Sequence, residues 1–415
     1  MTKYEFSIVE SRIFRCITVL LCVYGFALSL AGFLVGRLTE TGLLDFKQRW
    51  FEIQHFVHQI NPFDVMNGSV DALEGVPFMY VGGYPPWSYT VGTALIPPLN
   101  FQYSLFVFTV VQLLSLSGIL ILIYKTTGKY VQSKWVAFFF IALFLSLPGL
   151  ATDLKWGNYT VISVFFLMLC IYLSESKRLL FLLLAGFFYS IAFVKPQLIA
   201  LFGLILLFKG YWKVWSVAAA LVALYTLISS VSLHVSPWLL VSQLFESTVN
   251  YTKLYNYARY YNHGLLDILK LFEVPVDMIV RVEFPLSVAA VSVLYWKYYK
   301  HVSAVTIWAI PSTFALLWSY NQKYDWLIIF FLLFAFGIYA FRSSSGLAKR
   351  NIACFAGLTV ISLLATFKLM WFGYVINCWL QFLLRFVWLV GLLLLLRWQS
   401  AERKEPEVCL DSGCV

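Results

Sequence analysis

The chain has 415 residues, of which 61% are hydrophobic and only 12% charged, and its formal net charge is +10. A soluble domain carries roughly a quarter of its residues as charged side chains. This composition therefore excludes a water-soluble enzyme and indicates one all-α polytopic membrane domain over residues 1–415. In such a chain basic residues hold cytoplasmic loops at an anionic leaflet. With no basic and aromatic surface segment, they do not indicate nucleic acid. The seven Cys show no paired spacing, so neither a disulfide framework nor a metal site is expected.

A bilayer core needs about 20 apolar residues per helix, and on that scale the sequence predicts about twelve spans. They are 13–36, 102–124, 135–151, 158–174, 179–194, 196–208, 213–233, 283–297, 302–318, 326–341, 352–370 and 379–397. The run Ile13–Gly36 is too long for a cleaved signal and lacks a small-residue cleavage site, so it is expected to stay as an anchor. Basic residues then orient the spans. Lys3 and Arg12 precede the first, with Arg15 in its opening turn, Lys125, Lys129 and Lys134 follow the second, Lys177 and Arg178 the fourth, and Lys209 and Lys213 the sixth. Lys297 and Lys300, then Arg342, Lys349 and Arg350, continue the alternation, while the opposite short loops carry only Lys155 and Lys323. This bias predicts cytoplasmic termini, a cytoplasmic tail at 398–415 and an extracytoplasmic loop at 37–98.

That first loop is expected to lie on the membrane rather than cross it. Leu43, Phe46, Trp50, Ile53, Val57 and Ile60 recur at helical spacing, with Asp45, Gln48, Arg49, Glu52, His55 and Gln59 mostly on the other side. The pattern predicts an interfacial helix with its polar face toward water. Tyr84–Pro98 contains Pro85, Pro86, Pro97 and Pro98, which suits a short surface helix.

In this topology the chemistry-bearing residues gather at the extracytoplasmic face, away from ATP and nucleotide sugars. An enzyme there must use an activated donor that arrives in the membrane. Asp45 suits a general base for an acceptor hydroxyl; it also suits a helix cap with Gln48 as its box partner. Asp64 and Asp71 are further carboxylates, read as turn residues beside Pro62 and Gly68. Lys195-Pro196 interrupts an apolar run, where the ammonium either meets a phosphate or snorkels. Trp156-Gly157-Asn158 offers close backbone approach and an amide for sugar hydroxyls, or a turn and cap. The Tyr-rich stretch Asn250–Gly264 holds Arg259, a candidate phosphate fork, and His263. Tyr324 and Asp325 open the tenth span, and Asp325 either pairs with Lys323 or Arg259 or caps the helix. Arg385, inside the last span, is either functional or paired between helices. No phosphate-cradling Gly-rich loop, metal-binding helix motif or Ser nucleophile elbow is present.

Five stretches, Leu44-Asp45-Phe46, Gly83-Tyr84-Pro85-Pro86, Gly157-Asn158, Lys195-Pro196 and Tyr324-Asp325, with Asn262-His263-Gly264 as a sixth, span about residues 40–330. In order and spacing they resemble the polyprenol-phosphate-dependent glycosyltransferases of the GT-C fold, family 87, whose members include bacterial mannosyltransferases. The resemblance implies inverting hexose transfer from a polyprenyl-phosphate sugar to a glycolipid or polysaccharide acceptor, with no cofactor, metal or nucleotide donor. It implies a bacterial cytoplasmic (inner) membrane location with the active site on the extracytoplasmic side. Asp45 becomes the base, Lys195 and Arg259 donor-phosphate residues, and Tyr84, Trp156, Asn158, His263, Tyr324 and Asp325 sugar and acceptor contacts. The family's Gly-Gln-x-Asn reads Trp156-Gly157-Asn158-Tyr159 here, and His263-Gly264 replaces Gln-Ser. These departures bear on the sugar, with mannose favoured by the family and glucose or another hexose left open. A transporter or lipid flippase would instead place polar or broken helices near the bilayer midplane. An O-antigen polymerase or ligase would be expected to carry several Arg in its large outer loop, whereas 234–282 has only Arg259 and Arg281.

Overall fold

The structure, a computed structural model, describes residues 11–39, 42–73, 83–176, 178–254, 276–318, 323–342, 345–364 and 374–402. Every regular element among the described residues is helical. The physical reason is general: in lipid no water satisfies backbone N–H and C=O groups, so each segment must bond internally.

Where they are described, the expected spans fall on helices of differing length; residues 365–370 of the eleventh lie outside the described residues. Arg12–Leu38, Phe101–Tyr130, Trp212–Leu233, Lys323–Arg342 and Phe382–Glu402 are long and apolar enough to cross a membrane. Lys134–Ser146 and Pro148–Trp156 form one further span if taken together, bent by 51° between them. Pro148 explains the break, because its ring removes a helical N–H and clashes with the preceding turn. Here the sequence reading needs correction: residues 152–156, expected in a loop, continue the bent helix as far as Trp156. Thr160–Ser174, Leu179–Ala192, Pro196–Phe208, Ala304–Leu317 and Arg350–Leu363 are apolar but shorter. At 1.5 Å per residue, 13 residues such as Pro196–Phe208 give about 20 Å. That falls short of a hydrocarbon core about 30 Å thick.

The two ends of the bundle differ in chemistry. At one end Lys129 pairs with Glu175 at 2.5 Å, Arg15 lies over the Trp135 ring and Arg350 over the Trp398 ring. At the other end Thr160, Lys195 and Asp325, each at the start of a helical segment, are hydrogen-bonded together.

The first helix fixes where the bent span ends. A Cβ at Gly32 would lie 2.3 Å from the Ala151 carbonyl oxygen, so the two backbones touch there. Ser29 donates to the Leu145 carbonyl at 3.1 Å, and Ser146 to the Leu21 carbonyl at 2.9 Å. Arg37 then donates to the Leu154 carbonyl at 2.5 Å and to the Thr109 hydroxyl at 3.0 Å.

In the loop after the first span Leu44–Val57 and Trp87–Leu95 are short helices, as expected. Their setting is not. Gln48, Arg49, Glu52 and His55 are buried while Val57 is exposed, so the polar face turns into the protein rather than toward water. The cause is polar pairing. Arg49 and Glu52 form an ion pair, the Arg49 guanidinium stacks 3.5 Å over the Tyr84 ring, and both His55 ring nitrogens bond to backbone. Trp87–Leu95 is likewise clasped, with the Trp87 indole N–H donating to the Phe193 carbonyl at 2.8 Å and Ser229 to the Pro86 carbonyl at 2.8 Å.

Candidate functional site

Two left-handed backbone positions bring Asp45 to Asn158. Leu43 has φ 58° and donates its N–H to the Lys155 carbonyl at 3.0 Å, which ties the loop to the end of the bent span. Gly157 has φ 69° and closes that span. A Cβ at Gly157 would lie 2.7 Å from the Phe46 Cβ. Only glycine gives both this φ and this contact cheaply. The residue after Gly157 is Asn158 and the residue before Phe46 is Asp45, so the packing of one pair juxtaposes the other. Leu43, not Asp45, is the cap residue of Leu44–Val57, and it makes no side-chain cap bond. The cap-and-box reading of Asp45 and Gln48 is therefore replaced: Asp45 directs its carboxylate across to Asn158.

The Asn158 side-chain N–H donates to Asp45 Oδ2 at 2.8 Å. Its Oδ1 accepts from Lys195 Nζ at 2.7 Å and from the Thr160 hydroxyl at 3.2 Å. Lys195 Nζ also donates to Thr160 Oγ1 at 2.8 Å and to Asp325 Oδ1 at 2.5 Å. An ammonium has three N–H groups, and all three of Lys195 are used. The ammonium also lies 4.4 Å from the Tyr324 ring centroid, and the Tyr324 side chain hydrogen-bonds Asp45. Lys195 and Asp325 are each 1% exposed, whereas Asp45 is only half-buried. Asp45, with Tyr324 beside it, is thus the charged member of the cluster that meets the outside.

A deeper layer supports this one. Buried Asp153 accepts from the Thr160 backbone N–H at 3.1 Å and from Gln112 Nε2 at 2.9 Å, and Arg37 reaches Gln112 Oε1 at 3.3 Å. Beside Asp45 stands an aromatic wall in which the Tyr84 ring meets Tyr159 edge-on at 5.7 Å and Phe108 meets Tyr159 at 5.9 Å.

Of the sequence-read residues, Asp45, Tyr84, Asn158, Lys195, Tyr324 and Asp325 come together. Trp156 is half-buried at the end of the bent span, beside the Lys155 ammonium at 5.7 Å, and these hydrogen bonds do not run through it. Arg259 and His263 lie outside the described residues. Asp64 accepts from Asn61 at 3.0 Å and from Gln243 at 2.7 Å, which ties the first loop to helix Pro237–Leu254, and Asp71 is exposed. Arg385 is buried 5.7 Å from the Trp326 ring, one residue from Asp325. The sequence reading placed Arg49 and Glu52 in water and did not single out Gln112 or Thr160. The signal for the first two was present: 45, 49 and 52 fall on one helical face at steps of four and three.

Burial pushes the Asp45 carboxyl above its usual range, opposed by the Asn158 N–H, the Arg49 and Lys195 charges and Tyr324. Burial also lowers His55, which is held neutral with Nδ1 facing the Phe51 carbonyl at 2.7 Å and Nε2 accepting the Leu73 N–H at 3.0 Å. A histidine with a lowered folded pKa destabilises the fold as pH falls through the unfolded value, about 6.5. We expect Tm to fall on acidification below that point, with a shallower fall in His55→Gln. The same slope in both proteins, read by pH-resolved thermal melts, would rule this role out.

The Lys195–Asp325 pair carries a larger expectation. Removing one partner of a buried pair costs about 3–5 kcal/mol, while replacing both is often near neutral. Asp325→Ala should therefore melt far lower than wild type in detergent, and Lys195→Met/Asp325→Asn should recover most of the loss. Equal destabilisation by both would mean the pair does not act as a unit.

Among the described residues, no group of three or more His, Cys, Asp or Glu side chains is placed to hold a metal ion. No curated protein and no solved structure matches the chain. The family model for glycosyltransferase family 87 matches residues 83–319, more than half the chain. The match includes Gln112, Asp153, Asn158, Thr160 and Lys195, and the hydrogen bonds of those residues draw Asp45 and Asp325, which lie outside it, into the same cluster. A helical polytopic membrane protein whose matched residues hold such a cluster at one end of the bundle belongs to glycosyltransferase family 87.

Proposed function

We propose that this glycosyltransferase moves a hexose from a polyprenyl-phosphate sugar to a glycolipid or polysaccharide acceptor. Mannose is the first sugar to test and glucose the second. The active site faces the extracytoplasmic side of a bacterial cytoplasmic membrane. Asp45 takes the proton of the acceptor hydroxyl as that oxygen attacks the anomeric carbon. The bond from that carbon to the phosphate oxygen breaks, the electron pair leaves with the polyprenyl phosphate, and the anomeric centre inverts. The observation that carries this reading is the Asp45–Asn158 contact, a half-buried carboxylate held by a fixed donor where several short helices begin. Tyr84 and Tyr324 flank that carboxylate and suit the sugar and acceptor. Arg259 and His263 stand as further candidates for phosphate and sugar.

The test is donor choice. Purified protein reconstituted in vesicles should consume radiolabelled polyprenyl-phosphate mannose or glucose and leave the matching nucleotide sugars untouched. Consumption of nucleotide sugars alone would refute the lipid-linked donor.

A further inference from the structure

Lys195 is an unusual cation for a substrate site. It is 1% exposed, and its three N–H groups are committed to Asn158, Thr160 and Asp325. A donor phosphate could reach it only by displacing Asp325 or breaking into the core. What Lys195 does control is the direction of an amide. A side-chain amide has an acceptor end and a donor end, and flipping it exchanges the two. With Oδ1 of Asn158 held by Lys195 and by Thr160, its N–H is obliged to face Asp45. A flipped Asn158 would turn a carbonyl oxygen toward the carboxylate and an N–H toward an ammonium, both repulsive.

We propose that Lys195 is a positioning residue for Asp45: anchored by Asp325 and Thr160, it locks the Asn158 amide so that Asp45 is presented as a charged carboxylate in one orientation. This rests on the reading of Asp45 as the base, and it gives Lys195 a role through Asn158 in place of direct contact with the donor phosphate. Other ionisable groups acting on Asp45 are Arg49 on its own helix, Tyr84, Asp153 on the bent span and Tyr324 on the tenth segment, with Glu52 paired to Arg49 and Asp325 to Lys195. Lys195 and Asp325 have opposite charges, so removing both keeps the net charge of the cluster while releasing the amide; the direct loss of the Lys195 field would add to the shift of Asn158→Ala, whereas the effect carried by the amide would not.

The experiment uses an infrared pH titration of the whole protein in vesicles. The protonated Asp45 band is identified as the carboxyl signal absent from Asp45→Asn. Compared with wild type, Asn158→Ala and Lys195→Met/Asp325→Asn should each raise the Asp45 midpoint by about one pH unit, a tenfold change in protonation. Combining them should add nothing further, because they act on one element. In a parallel assay with polyprenyl-phosphate mannose and glucose, the paired variant should lose kcat on the acid side with donor KM within about threefold of wild type. An unmoved midpoint, or shifts that add, overturns the proposal. So does a donor KM raised about a hundredfold with the midpoint unmoved, which would assign Lys195 to the phosphate. If the wild type consumes neither donor, the transferase reading fails on its own, and the infrared titration still decides whether Lys195 governs Asp45.

Discussion

Asp45→Asn is expected to cut hexose transfer by about 10²–10⁴-fold, the usual contribution of a positioned general base. The substitution is nearly isosteric, and its side-chain oxygen still accepts the Asn158 N–H, so the cluster keeps its shape. The loss should therefore appear in kcat and not in the fold. A second consequence follows from linkage. Burial raises the Asp45 pKa in the folded protein. The folded state then holds the proton more tightly than the unfolded state. Stability is unaffected below the unfolded value, about 4, and declines as pH rises from there through the raised folded pKa. Above both values the ionised carboxylate is a constant cost. Asp45→Asn removes that cost, so at neutral pH it should melt above wild type. An inactive variant that melts higher is the signature of a residue kept for chemistry at the expense of stability. An inactive variant that melts lower would point to a structural role instead.

Gly157→Ala should be the most damaging single-methyl change in the site. The left-handed φ of 69° costs about 1–3 kcal/mol for a non-glycine residue. The new Cβ would also lie 2.7 Å from the Phe46 Cβ and 3.1 Å from Leu43 Cδ2, and overpacking adds about 1–3 kcal/mol more. The displaced residue is the neighbour of Asp45, so activity should fall with stability. Gly210→Ala separates the two terms. Gly210 has φ 78° with nothing within 4 Å of the would-be Cβ, so only the backbone cost applies. Thermal melts should place Gly157→Ala well below Gly210→Ala, with transfer reduced only in the former. Equal melting points would show that the Phe46 contact yields easily.

These two positions show how much of the site was legible in the sequence. Asp45, Asn158, Lys195 and Asp325 lie on four separated segments, and each stands out because a polar residue beside an apolar run has to be there for a reason. Their order identified the set, but their contacts depend on the αL turns at Leu43 and Gly157, which no local pattern states. The apolar periodicity of Leu44–Val57 gave a helix whose stripe at Leu43, Phe46 and Ile53 is buried, but it wrongly put the polar face in water. Amphipathicity tells which residues share a face, and it does not tell whether a polar face meets water or a buried partner. Arg49 and Glu52 pair with each other and Arg49 stacks on Tyr84, so their face can be buried. The bent span was misjudged for a different reason. The expected span ran through Pro148 and stopped at 151, ahead of the charged Asp153 and Lys155, yet a proline in the first turn starts a new helix, and Pro148–Trp156 runs on to carry Gly157 into the site. Thr160 and Gln112 gave no signal beyond their polarity within apolar runs.

The most direct measurement compares two titrations on the same protein. One is the pH dependence of kcat/KM for transfer from a polyprenyl-phosphate hexose. The other is the infrared midpoint of the Asp45 carboxyl. If Asp45 is the base, kcat/KM must fall on the acid side as Asp45 takes up its proton. The acid limb is expected above the ordinary carboxylate range, coinciding with the infrared midpoint and moving with it in Asn158→Ala. An acid limb at a different pH, or one that stays fixed while the Asp45 midpoint moves, would contradict Asp45 as the base.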